Sequence, residues 1–354
     1  MKKPIAATGF LLLSFLFPLK ATAASFTQMY VFGDSVSDTG NVFDFTGGAI
    51  PPSPPYFDGR FSNGPLWVDY LAQDLGLSLT PYSDVAFGGV IPTGGIDFAF
   101  AGATTGLDNT VYLTNPTQLP VLPGLQQQIG LFTSLVSPTQ AADPNALYIV
   151  LAGFNDYLPT TSTFIPFETT DTTIANLSSV ISSLTALGAQ NIMVPNLPPL
   201  GELPITLSTP DSDRLNTLTD EHNSDLNVAL DTLSQSFPSL NIIPVDLNSL
   251  FENAISEPAT FGFTNVTTPC LFVGCPNPEE YLFWDLYHPT TATHEFIADV
   301  AFQSLNSDSP TSVPEPTSGL GILAFGALGA GSVLKRQYRK ASSTKGKSLS
   351  SLLS

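Results

Sequence analysis

Residues 146–152, Ala146-Leu147-Tyr148-Ile149-Val150-Leu151-Ala152, form a continuous apolar and aromatic run with no polar interruption. A run so short and unbroken reads as a β-strand buried on both faces; a half-exposed strand would alternate. Similar runs recur at 29–32, 98–101, 191–195 and 240–245. Between them the spacing turns helical. Leu71 and Leu75 stand four apart in 67–75, and Leu125, Ile129, Phe132 and Val136 share a face in 122–136. Ile174, Leu177, Ile181 and Leu184 do the same in Asp171–Leu187, with Gly188 placed as a C-terminal cap. Leu215, Leu218, Leu226 and Leu230 mark a longer helix over 211–237, and 290–305 reads as the last one. Strands alternating with helices predict an α/β fold with a mostly parallel sheet covered on both faces. Residues 24–308 read as one domain, without internal repeat or heptad register.

The first run breaks at Gly33 into Asp34-Ser35-Val36-Ser37-Asp38-Thr39-Gly40-Asn41. Ser35 therefore sits just past the carboxyl end of a buried strand, where open α/β sheets place their crevices. The segment admits two readings, a plain polar turn or a nucleophilic serine. The second needs a base, an orienting carboxylate and oxyanion donors from elsewhere in the chain. Only three histidines are available. His288 precedes Pro289, which disfavours a helical conformation at His288, and Asp285 lies three residues upstream. A carboxylate there is placed to hold Nδ1–H and leave Nε2 free for the serine proton. A helix-capping turn is the alternative. His294 reads as a surface or core residue, and His222, after Asp220 and Glu221, as a solvated neighbour of acids. Gly102 and Asn155 follow two of the other strands and are candidate oxyanion donors, unless they serve only turn geometry. No G-x-S-x-G elbow occurs.

The order and spacing of these pieces are more specific than any one of them. Gly33-Asp34-Ser35, Gly102, Gly153-x-Asn155-Asp156 and Asp285-x-x-His288-Pro289 resemble the four blocks of the SGNH, or GDSL, hydrolase family. Phe57-Asp58-Gly59-Arg60-Phe61-Ser62-Asn63-Gly64 and Phe98-Ala99-Phe100-Ala101-Gly102-Ala103 are similar to its lipase/esterase branch. Val36 stands where the family name has leucine. The resemblance implies a flavodoxin-like three-layer α/β/α sandwich around a five-stranded parallel sheet, and a serine ester hydrolase without cofactor or metal. It implies Ser35 as nucleophile, His288 as base and Asp285 as its orienter. The Ser35 and Gly102 N–H groups and the Asn155 amide are then the oxyanion donors. The substrate class it implies is an ester, lipid-like or otherwise; acyl transfer, polysaccharide deacetylation and a non-catalytic surface protein are the alternatives.

The two ends read as sorting elements. Lys2 and Lys3, an apolar run to Leu19 and the small-residue site Ala21-Thr22-Ala23 predict a signal peptide over 1–23. In the tail, 309–354, the uncharged stretch 318–334 is long enough to span roughly 26 Å as a helix, against the ~30 Å hydrocarbon core. Lys335, Arg336, Arg339 and Lys340 follow it, which places that end in the cytoplasm and the domain outside. Val313-Pro314-Glu315-Pro316 resembles the PEP-CTERM sorting signal and implies an exosortase-type protease as a partner. The expectation is an exported protein at the cell surface, anchored through this helix or released by processing. With the ends set aside, only Arg60 and Arg214 face 29 carboxylates, a formal charge of −27. Such a surface repels nucleic acid and anionic head groups. Cys270 and Cys275 read as one short disulfide loop in an exported protein, or as a reduced pair. Two sulfurs without nearby histidines fall short of a four-ligand zinc site.

Overall fold

The structure, a computed structural model, describes residues 26–135 and 141–306. The signal peptide, Val136, and the tail with its 318–334 stretch lie outside the described residues. Six strands form one parallel sheet: β1 (Met29–Gly33), β2 (Thr80–Pro81), β3 (Gly95–Asp97), β4 (Leu147–Leu151), β5 (Asn191–Pro195) and β6 (Asn241–Val245). Its longer helices are α1 (Trp67–Leu75), α2 (Leu125–Leu135), α3 (Asp171–Leu187), α4 (Ser212–Ser236), α5 (Leu247–Ser256) and α6 (Thr291–Ser304).

Side chains alternate across a strand, so one run of apolar residues feeds two cores. Met29 and Val31 of β1, Leu147, Ile149 and Leu151 of β4, and Met193 of β5 point to one face. There they meet Trp67 and Leu71 of α1, Phe251 of α5, and Phe296 and Ile297 of α6. Phe32, Tyr148, Val150, Ile192 and Val194 point to the other, against Leu125, Ile129 and Phe132 of α2 and Leu177, Ile181 and Leu184 of α3. α4 serves both, with Leu215 and Leu218 on the first face and Leu226 and Leu230 on the second. Every residue of β4 is buried, as its unbroken sequence requires. Each fully buried Leu or Phe is worth about 1.5–3 kcal/mol, so the two cores fix the three layers.

The sheet order is β2-β3-β1-β4-β5-β6. Without β2 this is the doubly wound flavodoxin order, in which the second strand lies on one side of the first and the third on the other. The sheet thus has six strands rather than the expected five. The extra one is a two-residue edge, Thr80 paired with Ile96 and Pro81 with Asp97, too short to leave an apolar run. Proline is tolerated there because it needs no ladder N–H at an edge. A second correction concerns 98–101. The ladder strand is Gly95–Asp97, and the apolar run follows it beside β1, with Phe98 N–H on Val31 O and Phe100 N–H on Gly33 O. Chain direction reverses its side of growth at β1, so the carboxyl ends of β1 and β4, paired at Gly33 and Leu151, open onto one crevice.

Candidate active site

The loop after β1 is built by its own acids. Asp34 O accepts the N–H groups of Ser37 and Asp38, and Asp34 Oδ1 accepts Val36 N–H at 3.1 Å. This tight turn presents Ser35, half-buried, at its apex. The Asp38 carboxylate accepts four backbone N–H groups, from Gly40, Asn41, Val42 and Ala101. The Asn41 amide donates to Asp97 O and Ala99 O. Asp38 and Asn41 therefore staple the serine loop to the 97–102 segment. Neither was singled out as a site residue, although both stand in the stretch that breaks the first strand.

Gly102 closes that segment at φ 78°, a left-handed conformation suited to glycine. A Cβ at this position would also lie 2.7 Å from the backbone nitrogen of Val111. Among the described residues, the Ser35 and Gly102 N–H groups donate to no protein acceptor. Asn155 follows β4 on the short helix Phe154–Tyr157. Its Nδ2 donates to Ala103 O at 3.1 Å, and Thr110 Oγ1 donates to its Oδ1 at 3.3 Å. Those two bonds orient the amide and leave one amide hydrogen uncommitted. Asp156 is buried and accepts from Thr105 and Thr173, fixing the helix that carries Asn155. Burial raises its carboxyl above the ordinary value, against the pull of those donors.

The turn before α6 brings the last two residues. His288 Nε2 lies 2.8 Å from Ser35 Oγ, and His288 Nδ1 lies 2.8 Å from Asp285 Oδ2 and 2.9 Å from Oδ1. Asp285 Oδ1 also accepts the N–H groups of Tyr287 and His288. Burial works to raise the Asp285 carboxyl, but the His288 charge and these donors outweigh it and hold it below the ordinary value. Thr290 caps α6 by accepting Thr293 N–H. Cys270 and Cys275 are joined by a disulfide. From that loop Cys270 N–H donates to Phe283 O and Leu271 N–H to Trp284 O, just upstream of Asp285.

The other two histidines stand apart from this line. His222 is buried on α4 with Nδ1 3.0 Å from Tyr157 OH, not solvated among acids as expected. Asp220 and Glu221 precede it by two and one residues and so face elsewhere on the helix. Burial lowers His222 to about 4. His294 is a core residue of α6.

Ser35, Gly102, Asn155 and His288 all line one cleft of about 190 Å³. Val36, Phe61, Val111, Phe154, Leu158 and Tyr287 supply its apolar wall, and no lining residue carries a fixed charge. Among the described residues, no group of three His, Cys, Asp or Glu side chains is placed to hold a metal ion. Chemically, the cleft offers a hydroxyl against an imidazole, a carboxylate behind the imidazole, and free N–H donors beside the hydroxyl.

Residues 29–301 match the family described as GDSL-like Lipase/Acylhydrolase, and residues 312–337 match the PEP-CTERM protein-sorting motif. A GDSL esterase/lipase of Arabidopsis thaliana is 30% identical over 322 residues, covering 77% of this chain and 87% of that protein. Acetylajmalan esterase 2 of Rauvolfia serpentina is 30% identical over 331 residues, covering 77% and 88%. The thermolabile hemolysin of Vibrio parahaemolyticus is 26% identical over 302 residues, covering 79% of this chain and 64% of that protein.

Proposed function

The chain belongs to the GDSL-like lipase/acylhydrolase family and is an exported ester hydrolase, and on that footing we propose that it works through an acyl-enzyme on Ser35. The observation that carries this reading is the 2.8 Å contact between Ser35 Oγ and His288 Nε2, within reach for proton transfer. Ser35 Oγ attacks the ester carbonyl as His288 Nε2 takes its proton. Asp285 holds the imidazole through Nδ1 and stabilises the imidazolium. The carbonyl oxygen, now an oxyanion, is received by the Ser35 and Gly102 N–H groups and the Asn155 amide. His288 then gives its proton to the leaving alcohol, and water, activated by the same imidazole, releases the acid and restores Ser35.

The uncharged lining of the cleft and the acidic domain around it favour a neutral ester. Domain organisation follows the sequence: a signal peptide over 1–23, the hydrolase domain over 24–308 and a sorting tail over 309–354. Processing near the motif by an exosortase-type protease, and transient membrane anchoring through 318–334, complete the proposal. Among the described residues, no helix is long and apolar enough to cross a membrane.

Replacing Ser35 by alanine tests the chemistry. Turnover of p-nitrophenyl esters by purified Ser35→Ala should fall by roughly 10⁴–10⁶; undiminished hydrolysis would rule the nucleophile out.

A further inference from the structure

The segment 51–65 holds the run Pro51-Pro52-Ser53-Pro54-Pro55 and the stretch Phe57-Asp58-Gly59-Arg60-Phe61-Ser62-Asn63-Gly64. In the structure it runs along the turn that carries Asp285 and His288. Ser62 Oγ donates to Pro289 O at 2.8 Å, Thr291 N–H donates to Asn63 Oδ1 at 2.9 Å, and Thr291 Oγ1 donates to Pro65 O at 2.8 Å. Phe61 packs its ring 5.2 Å from the His288 ring. The Arg60 guanidinium grips Asp69 of α1 with two bonds, at 2.8 and 2.9 Å, which anchors the segment to the body of the domain.

One contact of this segment reaches the charge behind the imidazole. Tyr56 OH donates to Asp285 Oδ2 at 2.7 Å, the same oxygen that faces His288 Nδ1. The Tyr56 ring is set by edge-on packing against Phe61 and Trp284. Burial, and then the Asp285 charge, push the phenol above its ordinary value, so it stays a donor throughout the working pH range. Phenol, carboxylate, imidazole and hydroxyl thus form one chain of hydrogen bonds.

We propose that Tyr56 is a positioning residue of the hydrolase, acting through Asp285 to set how strongly the carboxylate holds the His288 imidazolium. The inference rests on the acyl-enzyme reading. A phenol on Oδ2 spreads the carboxylate charge and fixes its plane. It thereby keeps Nδ1 bound while limiting the pull that would trap a proton on Nε2. Without it, the carboxylate holds the imidazolium more strongly, and the protonated, inactive form persists to higher pH.

Tyr56→Phe keeps the ring packing and removes only the hydroxyl. The titratable groups facing His288 are Asp285 and Tyr287 on its own turn, Tyr56 itself, Asp34 after β1 and His294 on α6. All but Tyr56 are unchanged in the variant. With p-nitrophenyl acetate, kcat should fall about 10-fold with KM nearly constant. The acid limb of kcat/KM should move up by about 0.5–1 pH unit. The low-field proton signal of the His288 Nδ1–H should shift in the free enzyme, a readout that a merely structural role would leave in place. An unmoved acid limb and an unmoved proton signal would overturn the proposal, whatever happens to kcat. A parent enzyme without esterase activity, or an active Ser35→Ala, would instead sink the reading beneath it.

Discussion

Asn155 is held at both ends of its amide, by Ala103 O and by the Thr110 hydroxyl, so its free N–H has one direction to point. In the proposed oxyanion role a donor so fixed costs no reorganisation when the charge develops, and its removal is felt in the transition state alone. Asn155→Ala should therefore lower kcat by about 10²–10³ with KM little changed. Steady-state kinetics on p-nitrophenyl acetate, beside a melting curve to establish folding, would measure this; a loss of less than about 3-fold would remove Asn155 from the oxyanion site. At this scale the sequence was legible where the residue type was scarce. Three histidines, one of them between Asp285 and Pro289, left few choices for a base. Tyr56, Asp38 and Asn41 were not legible, because their meaning lies in partners far along the chain. Tyr56 meets Asp285 across 229 residues, and Asp38 meets Ala101 across 63. Nothing local in a tyrosine or an aspartate announces such a contact.

α6 carries the Asp285–His288 turn on its N-terminus and a buried histidine one turn in. His294 is fully buried, with neither ring nitrogen hydrogen-bonded. Burial, and then the nearby His288 charge, depress it to about 3. The unfolded chain takes up a proton near 6.5 that the folded chain refuses until far lower pH, so this position contributes stability that is lost as pH falls from 6.5 toward 3. A residue of similar volume without that proton should reverse the trend. The melting temperature of His294→Leu, relative to the parent, should rise as pH falls from 7 to 4. Calorimetry at pH 7, 5.5 and 4 would show it, and parallel curves would contradict it. Elements as a class were legible in proportion to their length and periodicity. Asp171–Leu187 is a helix over the expected residues and ends at Gly188 with φ 115°. Two-residue β2 was not legible, since no pattern fits in two positions. The 98–101 run reads as a strand because apolarity marks burial, and these residues lie buried beside β1 just past the end of β3.

As a whole molecule, the chain joins two cores, one sheet and one crevice into a nearly cation-free domain of formal charge −27. The two faces had their source in the primary structure, in alternating strand residues, whereas the strand order that puts β1 at the switch was implied only by the family resemblance. The shape of the cleft was not legible, since its wall draws on the one-turn helix Thr110–Thr114 and the loop 158–161, both too short for a period to show. The central claim concerns how distant segments meet: residues 35, 102, 155 and 288 form one esterase site. Covalent labelling with a fluorophosphonate tests it most directly, because only a serine activated by its neighbours reacts rapidly with such a probe. Intact mass should show one adduct per chain. Peptide mapping should place it on Ser35, and His288→Ala should abolish it. An unlabelled chain, or an adduct on any other residue, would contradict the account.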